Sequence, residues 1–441
     1  MKVHFVSLGC PRNLVDTEIM LGRLLEAGHT IISGESEADC VVVNTCSFIE
    51  PAAVESIDVI LEMGKWRQQS DRHRLIVVGC LPQRYGIDLV KAMPEVDVFL
   101  GTGAFDRIVG ATEGSLNGRR VLLPHPGRIP VRDLSLPRFR TTSFHTAYLK
   151  IAEGCSDRCA YCIIPKLKGP HRSRPIAEVL TEASFLVESG VKELVLVAQN
   201  TTAYGKDLGI DHGLEDLLER LAHIAGLGWV RVLYGHPDYV TDPLIEVVAS
   251  HSQLCSYFDI PVQHISQPVL KRMGRRNNSA AIYELFERIR TRVPDAALRT
   301  TLMVGFPGES DHDFERLLDL VERVRFDHLG AFVYSDEKDL PSKALKNHVP
   351  ETVKQERFEC VMSRQLEISR ENNQKYIGKT LQVLVEGSAE GTDSPLEGRT
   401  YFQAPEIDGV VYINAGVAEP GTFSRVRITE ACEYDLRGAI V

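Results

Sequence analysis

The chain is predicted to be an α/β protein that ends in a small all-β module, and three observations carry that expectation. Short apolar runs alternate with amphipathic helical segments from the start to about residue 335. The alternation restarts at longer spacing after a Pro- and Arg-rich stretch, Pro124 to Arg140 (PHPGRIPVRDLSLPRFR). Beyond Tyr376 the period changes to two, with Gly and Pro between the runs. Strand–helix alternation of the first kind implies parallel sheets covered by helices.

In the first segment, residues 1–120, the strand-like runs are Val3–Leu8, Cys40–Asn44, Leu75–Gly79 and Val96–Leu100. Leu14–Ala27, Val54–Met63 and Leu89–Met93 separate them and space Leu, Ile and Met for one buried face. This predicts an open parallel sheet. The second segment, residues 141–372, offers the runs Ala147–Ala152, Glu193–Ala198, Val230–Tyr234, Phe258–Val262, Leu298–Val304 and Leu329–Tyr334. Helical patterns lie between them at Ile176–Ser189, Leu214–Ala225, Pro243–Ser250, Ala280–Arg292 and His312–Val324, and a polar helix, Glu351–Lys375, leads out. Six such units suit a partial or complete barrel with its functional groups at the carboxyl ends of the strands. In the third segment, residues 376–441, Leu381–Glu386, Thr400–Gln403, Val410–Asn414 and Thr422–Glu430 predict a small antiparallel β-barrel.

Composition narrows the class. The chain has 441 residues, 44% hydrophobic and 25% charged, which suits a soluble protein of two to four domains. No apolar run approaches the roughly 18–20 residues that span a bilayer. The opening MKVHFVSLGCPRN lacks the form of a signal peptide, so the expected location is the cytoplasm. Thiols there stay reduced, which leaves metal ligation, catalysis or burial for the ten cysteines. The net charge of −10 argues against broad attraction to nucleic acid.

Six cysteines stand out. Cys155, Cys159 and Cys162 follow the first barrel strand with the spacing Cys-x3-Cys-x2-Cys. Three thiolates so close suit three irons of a cubane cluster, leaving the fourth open to a cofactor. A zinc site would normally close with a fourth Cys or His at usual spacing, and buried thiols of no function are the other alternative. Cys10, Cys46 and Cys80 each end a predicted parallel strand, in VSLGC, VVNTC and VVGC. Ligands of open α/β sheets bind outside those ends, so the three are expected to converge on a second site. Cys40 begins a strand, and with Cys255, Cys360 and Cys432 is read as structural.

On these residues the chain resembles the radical S-adenosylmethionine (AdoMet) methylthiotransferases over its whole length. The branch acting on a ribosomal protein is the most similar, through Ser7-Leu8-Gly9-Cys10-Pro11-Arg12-Asn13, Gly398-Arg399-Thr400, Gln403-Ala404-Pro405-Glu406-Ile407-Asp408-Gly409 and Tyr434-Asp435-Leu436. The resemblance implies a flavodoxin-like amino-terminal domain, a radical AdoMet (β/α) barrel and a terminal TRAM barrel. It implies two 4Fe–4S clusters, one on Cys155, Cys159 and Cys162 that binds AdoMet, the other on Cys10, Cys46 and Cys80. The implied reaction is radical hydrogen abstraction from the β-carbon of an aspartate in small-subunit ribosomal protein twelve. Sulfur insertion follows, with the methyl group from a second AdoMet. The implied electron donor is a protein such as flavodoxin or ferredoxin. After Tyr334-Ser335 the chain departs from the family, with Asp336-Glu337-Lys338-Asp339-Leu340 in place of a Glu-Gly-Thr run.

Other strand-end residues are expected to frame AdoMet: Tyr161 within the cysteine loop, Gln199 and Asn200, Gln263 and His264, and Gly305. Each has a turn or cap reading as its alternative. Arg172 and Arg174 are candidates to meet a carboxylate, with a solvated position as the equal alternative. Rival readings are a transfer RNA methylthiotransferase, a nonenzymatic iron–sulfur sensor and a zinc protein. Charge bears on the first. From Tyr376 to Val441 ten acidic residues face five basic ones, a net of −5, so the module is expected to attract a basic protein through Glu406 and Asp408 and to repel transfer RNA.

Overall fold

A computed structural model describes residues 1–116, 118–128, 138–389 and 394–441. Most of the expected linker between the first two segments, 129–137, lies outside the described residues. No helix among the described residues is long and apolar enough to cross a membrane.

Valine-rich runs that are apolar on both faces form the first sheet. Its strands are β1 (Lys2–Ser7), β2 (Thr30–Ile32), β3 (Cys40–Thr45), β4 (Arg74–Gly79), β5 (Val98–Gly101) and β6 (Val121–Leu122), in the order β2-β1-β3-β4-β5-β6. Every pairing is parallel. The intervening helices are α1 (Pro11–Glu26), α2 (Glu50–Arg67), α3 (Cys80–Ala92) and the short α4 (Ile108–Glu113). The order reverses between β1 and β3, and ligands of such sheets bind outside the strand ends at that switch. Cys10 and Cys46 follow those two strands.

The second segment starts with β7 (Thr146–Lys150), the short β8 (Ala152–Glu153), α5 (Ile164–Lys168) and β9 (Arg172–Ser173). Then come α6 (Ile176–Glu188), β10 (Glu193–Val197), α7 (Gly213–Ala222), β11 (Trp229–Val232), α8 (Asp242–Ser250) and β12 (Tyr257–Asp259). It continues with α9 (Gln267–Arg272), α10 (Ser279–Arg292), β13 (Ala297–Val304), α11 (Asp311–Val324), β14 (His328–Val333) and α12 (Glu351–Gln374). Two three-stranded parallel sheets, β11-β10-β7 and β12-β13-β14, are joined by a bridge between Val230 and Leu254 into an incomplete barrel. Alternation sorts the side chains. Leu149, Leu194, Leu196, Leu298 and Leu302 pack under the outer helices, whereas Tyr148, Val195, Val197 and Tyr257 turn to the inner face. That inner face is filled by the neighbouring segments. Helix α1 packs on β7 from one end, and Phe402 and Ala404 share the inner cluster from the other.

The third segment is a closed barrel of β15 (Thr380–Gly387), β16 (Leu396–Arg399), β17 (Val411–Ala415), β18 (Phe423–Ala431) and β19 (Leu436–Ile440). Its pairings are antiparallel except β17 with β19, which is parallel. Thr400–Gln403, expected as a strand, is a turn. The backbone N–H and hydroxyl of Thr400 both donate to Gln403 Oε1, at 3.0 Å each, and this local ring replaces a ladder.

Candidate active site

The cysteines hold their places through backbone turns. Gly9, before Cys10, has φ +98°, and a Cβ there would come within 2.8 Å of Cys46 Cβ. Gly154, before Cys155, has φ +81°, and a Cβ would collide with the Pro170 carbonyl at 2.1 Å. Only glycine fits either position. Cys10 is the N-cap of α1, Cys46 follows β3, and Cys80 opens α3. Helix amino termini favour bound anions, thiolates among them.

Within each set the thiols lie in one another's electrostatic field. Burial, then the neighbouring Cys46 and Cys10, push Cys80 up to about 12 against the pull of Lys168. Burial likewise raises Cys46, with Cys10 adding to the shift. Cys10 goes the other way: burial pushes it up, but the Arg12 guanidinium outweighs that and lowers it. In the second set, burial followed by Asp157, Cys162 and Cys159 pushes Cys155 up to about 12. Burial and Cys159 do the same for Cys162, against Arg12 and Arg275. All ten cysteines are free of disulfides. Among the described residues no three such side chains close round a single ion. A cubane makes a different demand, one thiolate on each of three irons, so two sets of three thiols fit two clusters.

Arg12 lies in the field of both Cys10 and Cys162 and donates to the Ala198 carbonyl, and Cys80 packs with Ile163 and Leu167, so both sets lie at the contact between the first segment and the barrel. Beneath them is a buried network. Lys150 Nζ donates to Asp16 and, at 2.9 Å, to Glu153, while Lys168 Nζ donates to Asp16 at 3.0 Å. Burial opposes the charge on Glu153, but Lys150 and Lys168 hold its carboxyl well below the ordinary range.

The other expected residues divide. Gln199 Nε2 donates to Glu153 at 2.6 Å, and Asn200 Nδ2 donates to Asp157 Oδ2 at 2.9 Å, so both face the cysteine loop. Tyr161 packs edge-to-face on Phe306 and accepts from Arg275 at 3.0 Å. Gln263, four residues beyond β12, holds φ +67°, a conformation uncommon for a residue other than glycine. His264 is not brought to this space. It is fully buried, accepts from the Ser266 N–H at 2.9 Å and lies 3.5 Å from Glu309. The freedom of Gly305 serves packing, since a Cβ would meet Lys354 of α12 at 2.3 Å. Arg174 is buried against Glu182 at 2.6 Å, and Arg172 donates to the Pro126 carbonyl at 3.1 Å.

Asp408 corrects the expected acidic recognition surface. Its carboxylate accepts from Tyr257 Oη at 2.6 Å and lies 3.5 Å from both Arg299 and His328, inside the junction with the barrel. Glu406 accepts from Tyr148 Oη at 3.3 Å. The turn after β16 caps the barrel's inner face; Asp408 serves that contact, and Glu406 stays exposed at its edge.

Sequence reading missed a polar cleft of about 320 Å³ lined by Asp157, Cys159, His236, Asp238, Arg275 and Arg276. Asp157 was visible inside the cysteine loop. His236 and Arg275 come from distant loops and carry no local signal. Tyr239 Oη and Asn200 both donate to Asp157, which fixes its carboxylate in the wall.

Residues 2–101 match the Uncharacterized protein family UPF0004, residues 149–321 the Radical SAM superfamily, and residues 377–441 the TRAM domain. Among solved structures, the radical S-adenosylmethionine methyltransferase TsrM from Kitasatospora setae is similar in fold. It has a TM-score of 0.59 at 14% identity, covering 83% of this chain and 89% of that one. Curated relatives reach further. "Ribosomal protein uS12 methylthiotransferase RimO" of Geobacter sulfurreducens is 48% identical, covering 100% of this chain and 98% of the relative. The protein of that name from Desulfosudis oleivorans is 50% identical, covering 99% of each. The chain belongs to the ribosomal protein uS12 methylthiotransferase family.

Proposed function

We propose that this radical SAM enzyme adds a methylthio group to the β-carbon of an aspartate in ribosomal protein uS12. The observation that carries the reading is the pair of three-cysteine sets, placed after strands of two different sheets and brought to one contact where Cys80 packs with Ile163 and Leu167. Cys155, Cys159 and Cys162 would hold one 4Fe–4S cluster with an iron left for AdoMet, and Cys10, Cys46 and Cys80 would hold a second. When bound, these groups supply one-electron chemistry that removes hydrogen from an unactivated carbon, which no side chain can do as a base.

The chain's own residues set the stage. The cleft beside Cys159 is lined by Asp157, Asp238 and Arg276, groups suited to the amino and carboxylate ends of AdoMet. The Asp16–Lys150–Lys168–Glu153 network ties α1 to the barrel and fixes the spacing between the two sets. The net −5 of the terminal segment supports a basic protein rather than a polyanion as substrate. A flavodoxin or ferredoxin as reductant and a cytoplasmic location belong to the same reading. Mass spectrometry of uS12 after anaerobic incubation with AdoMet and reductant tests it. The expected result is a methylthio mass gain on one aspartate, lost when AdoMet is omitted. Unmodified uS12 alongside modified transfer RNA would overturn it.

A further inference from the structure

The inference rests on the aspartate-modifying reading above. An aspartate's carboxylate is bonded directly to the carbon that reacts, so its charge must enter the space between the two cysteine sets. A buried carboxylate without a cation is strongly unfavourable.

Several cations border that space: Arg158 and Arg276 line the cleft beside Cys159, and three others already hold partners. Lys150 is held by Asp16 and Glu153, and Lys168 by Asp16 at 3.0 Å and Glu153 at 3.8 Å. Arg275 donates to Tyr161 Oη at 3.0 Å and to the Pro261 carbonyl at 2.8 Å. Arg12 differs. Its guanidinium lies 4.5 Å from the centre of the Tyr234 ring, and Nη1 donates to the Ala198 carbonyl at 3.2 Å. Its side chain also hydrogen-bonds with Cys10, and among the described residues it forms no ion pair with a carboxylate. The planar fork of an arginine matches a carboxylate with two parallel hydrogen bonds.

The support under Arg12 is built at a cost. Tyr234 has φ +62°, an outlier for a bulky residue, and its backbone N–H donates to Asp259 at 2.8 Å. That geometry sets the ring beneath the guanidinium, at the carboxyl ends of β10 and β11. We propose that Arg12, held over Tyr234, binds the carboxylate of the target aspartate and makes the enzyme select aspartate over a neutral side chain.

A purely structural role, neutralising nearby thiolates, would leave that selectivity unmoved. The test uses full-length protein with reconstituted clusters and no reductant, titrated with two labelled peptides. One spans the target aspartate of uS12, and the other carries asparagine in its place. Wild type should bind the aspartate peptide at least about tenfold more tightly. Arg12→Gln should bind both alike at unchanged iron content, and Arg12→Lys should keep part of the preference. A wild-type preference retained in Arg12→Gln, or none in wild type, overturns the proposal. If the Gln variant loses iron, the Lys variant decides: binding of the aspartate peptide several-fold weaker supports the fork, and unchanged binding overturns it. In a separate incubation with AdoMet and reductant, failure of the wild-type enzyme to methylthiolate the aspartate peptide would instead sink the functional reading, and this role with it.

Discussion

Asp16 shows how much depends on single side chains at this interface. It accepts from two buried ammonium groups that belong to a different segment of the chain, Lys150 and Lys168. Removing one partner of a buried ionic group leaves the others uncompensated, at a cost of about 3–5 kcal/mol. Asp16→Asn should therefore lose stability of that order in urea titration of the apo protein, followed by circular dichroism. An unchanged midpoint would contradict the network. At this scale the sequence was legible where spacing carries the signal. The Cys-x3-Cys-x2-Cys run and the three strand-end cysteines could be picked out unaided. It was silent where burial depends on distant partners, as for His264 against Glu309 and Asp408 against Tyr257. The left-handed backbones of Tyr234 and Gln263 left no mark in residue type either.

Secondary elements were the most legible level, because apolar runs and amphipathic periods are local. The strands at Glu193–Val197 and His328–Val333 begin within a residue of their expected starts. The strands missed in the first segment, β2 and β6, are its two edges, with three and two residues, too short to show a period. Strand β19 carries Gly438 at its centre, which weakens the pattern. Contact between elements brings a pH dependence. Glu386 of β15 lies between His145 and Arg399; burial pushes its carboxyl up, but those partners lower it to about 2. A depressed carboxylate contributes stability above its ordinary value near 4.5 and loses it as pH falls toward 2. The junction between the two barrels should thus weaken between those limits, by up to about 3 kcal/mol. Trp229, 4.8 Å from Phe423 across that junction, reports it by fluorescence. Glu386→Gln should flatten the acid limb; an identical limb in the variant would assign the transition elsewhere.

For the whole molecule, three segments are folded round one space. Helix α1 packs on β7, and the turn after β16 closes the barrel's inner face from below. A third contact comes from the loop that departs from the family pattern. Arg84 of α3 donates to Asp339 at 2.7 Å, to Glu337 at 3.0 Å and to the Ser47 carbonyl at 2.6 Å, beside Cys46 and Cys80. The order of segments was legible in the sequence. Their mutual arrangement was not, because it rests on buried ion pairs between residues more than a hundred positions apart. The central claim is that two three-cysteine sets each hold a cluster of their own across this interface. Iron and sulfide analysis of anaerobically reconstituted protein tests it most directly. Wild type should hold about eight irons, and each of two triple variants, Cys10, Cys46 and Cys80→Ala or Cys155, Cys159 and Cys162→Ala, about four. Full iron content in either triple variant, or loss of all iron in both, would contradict the account.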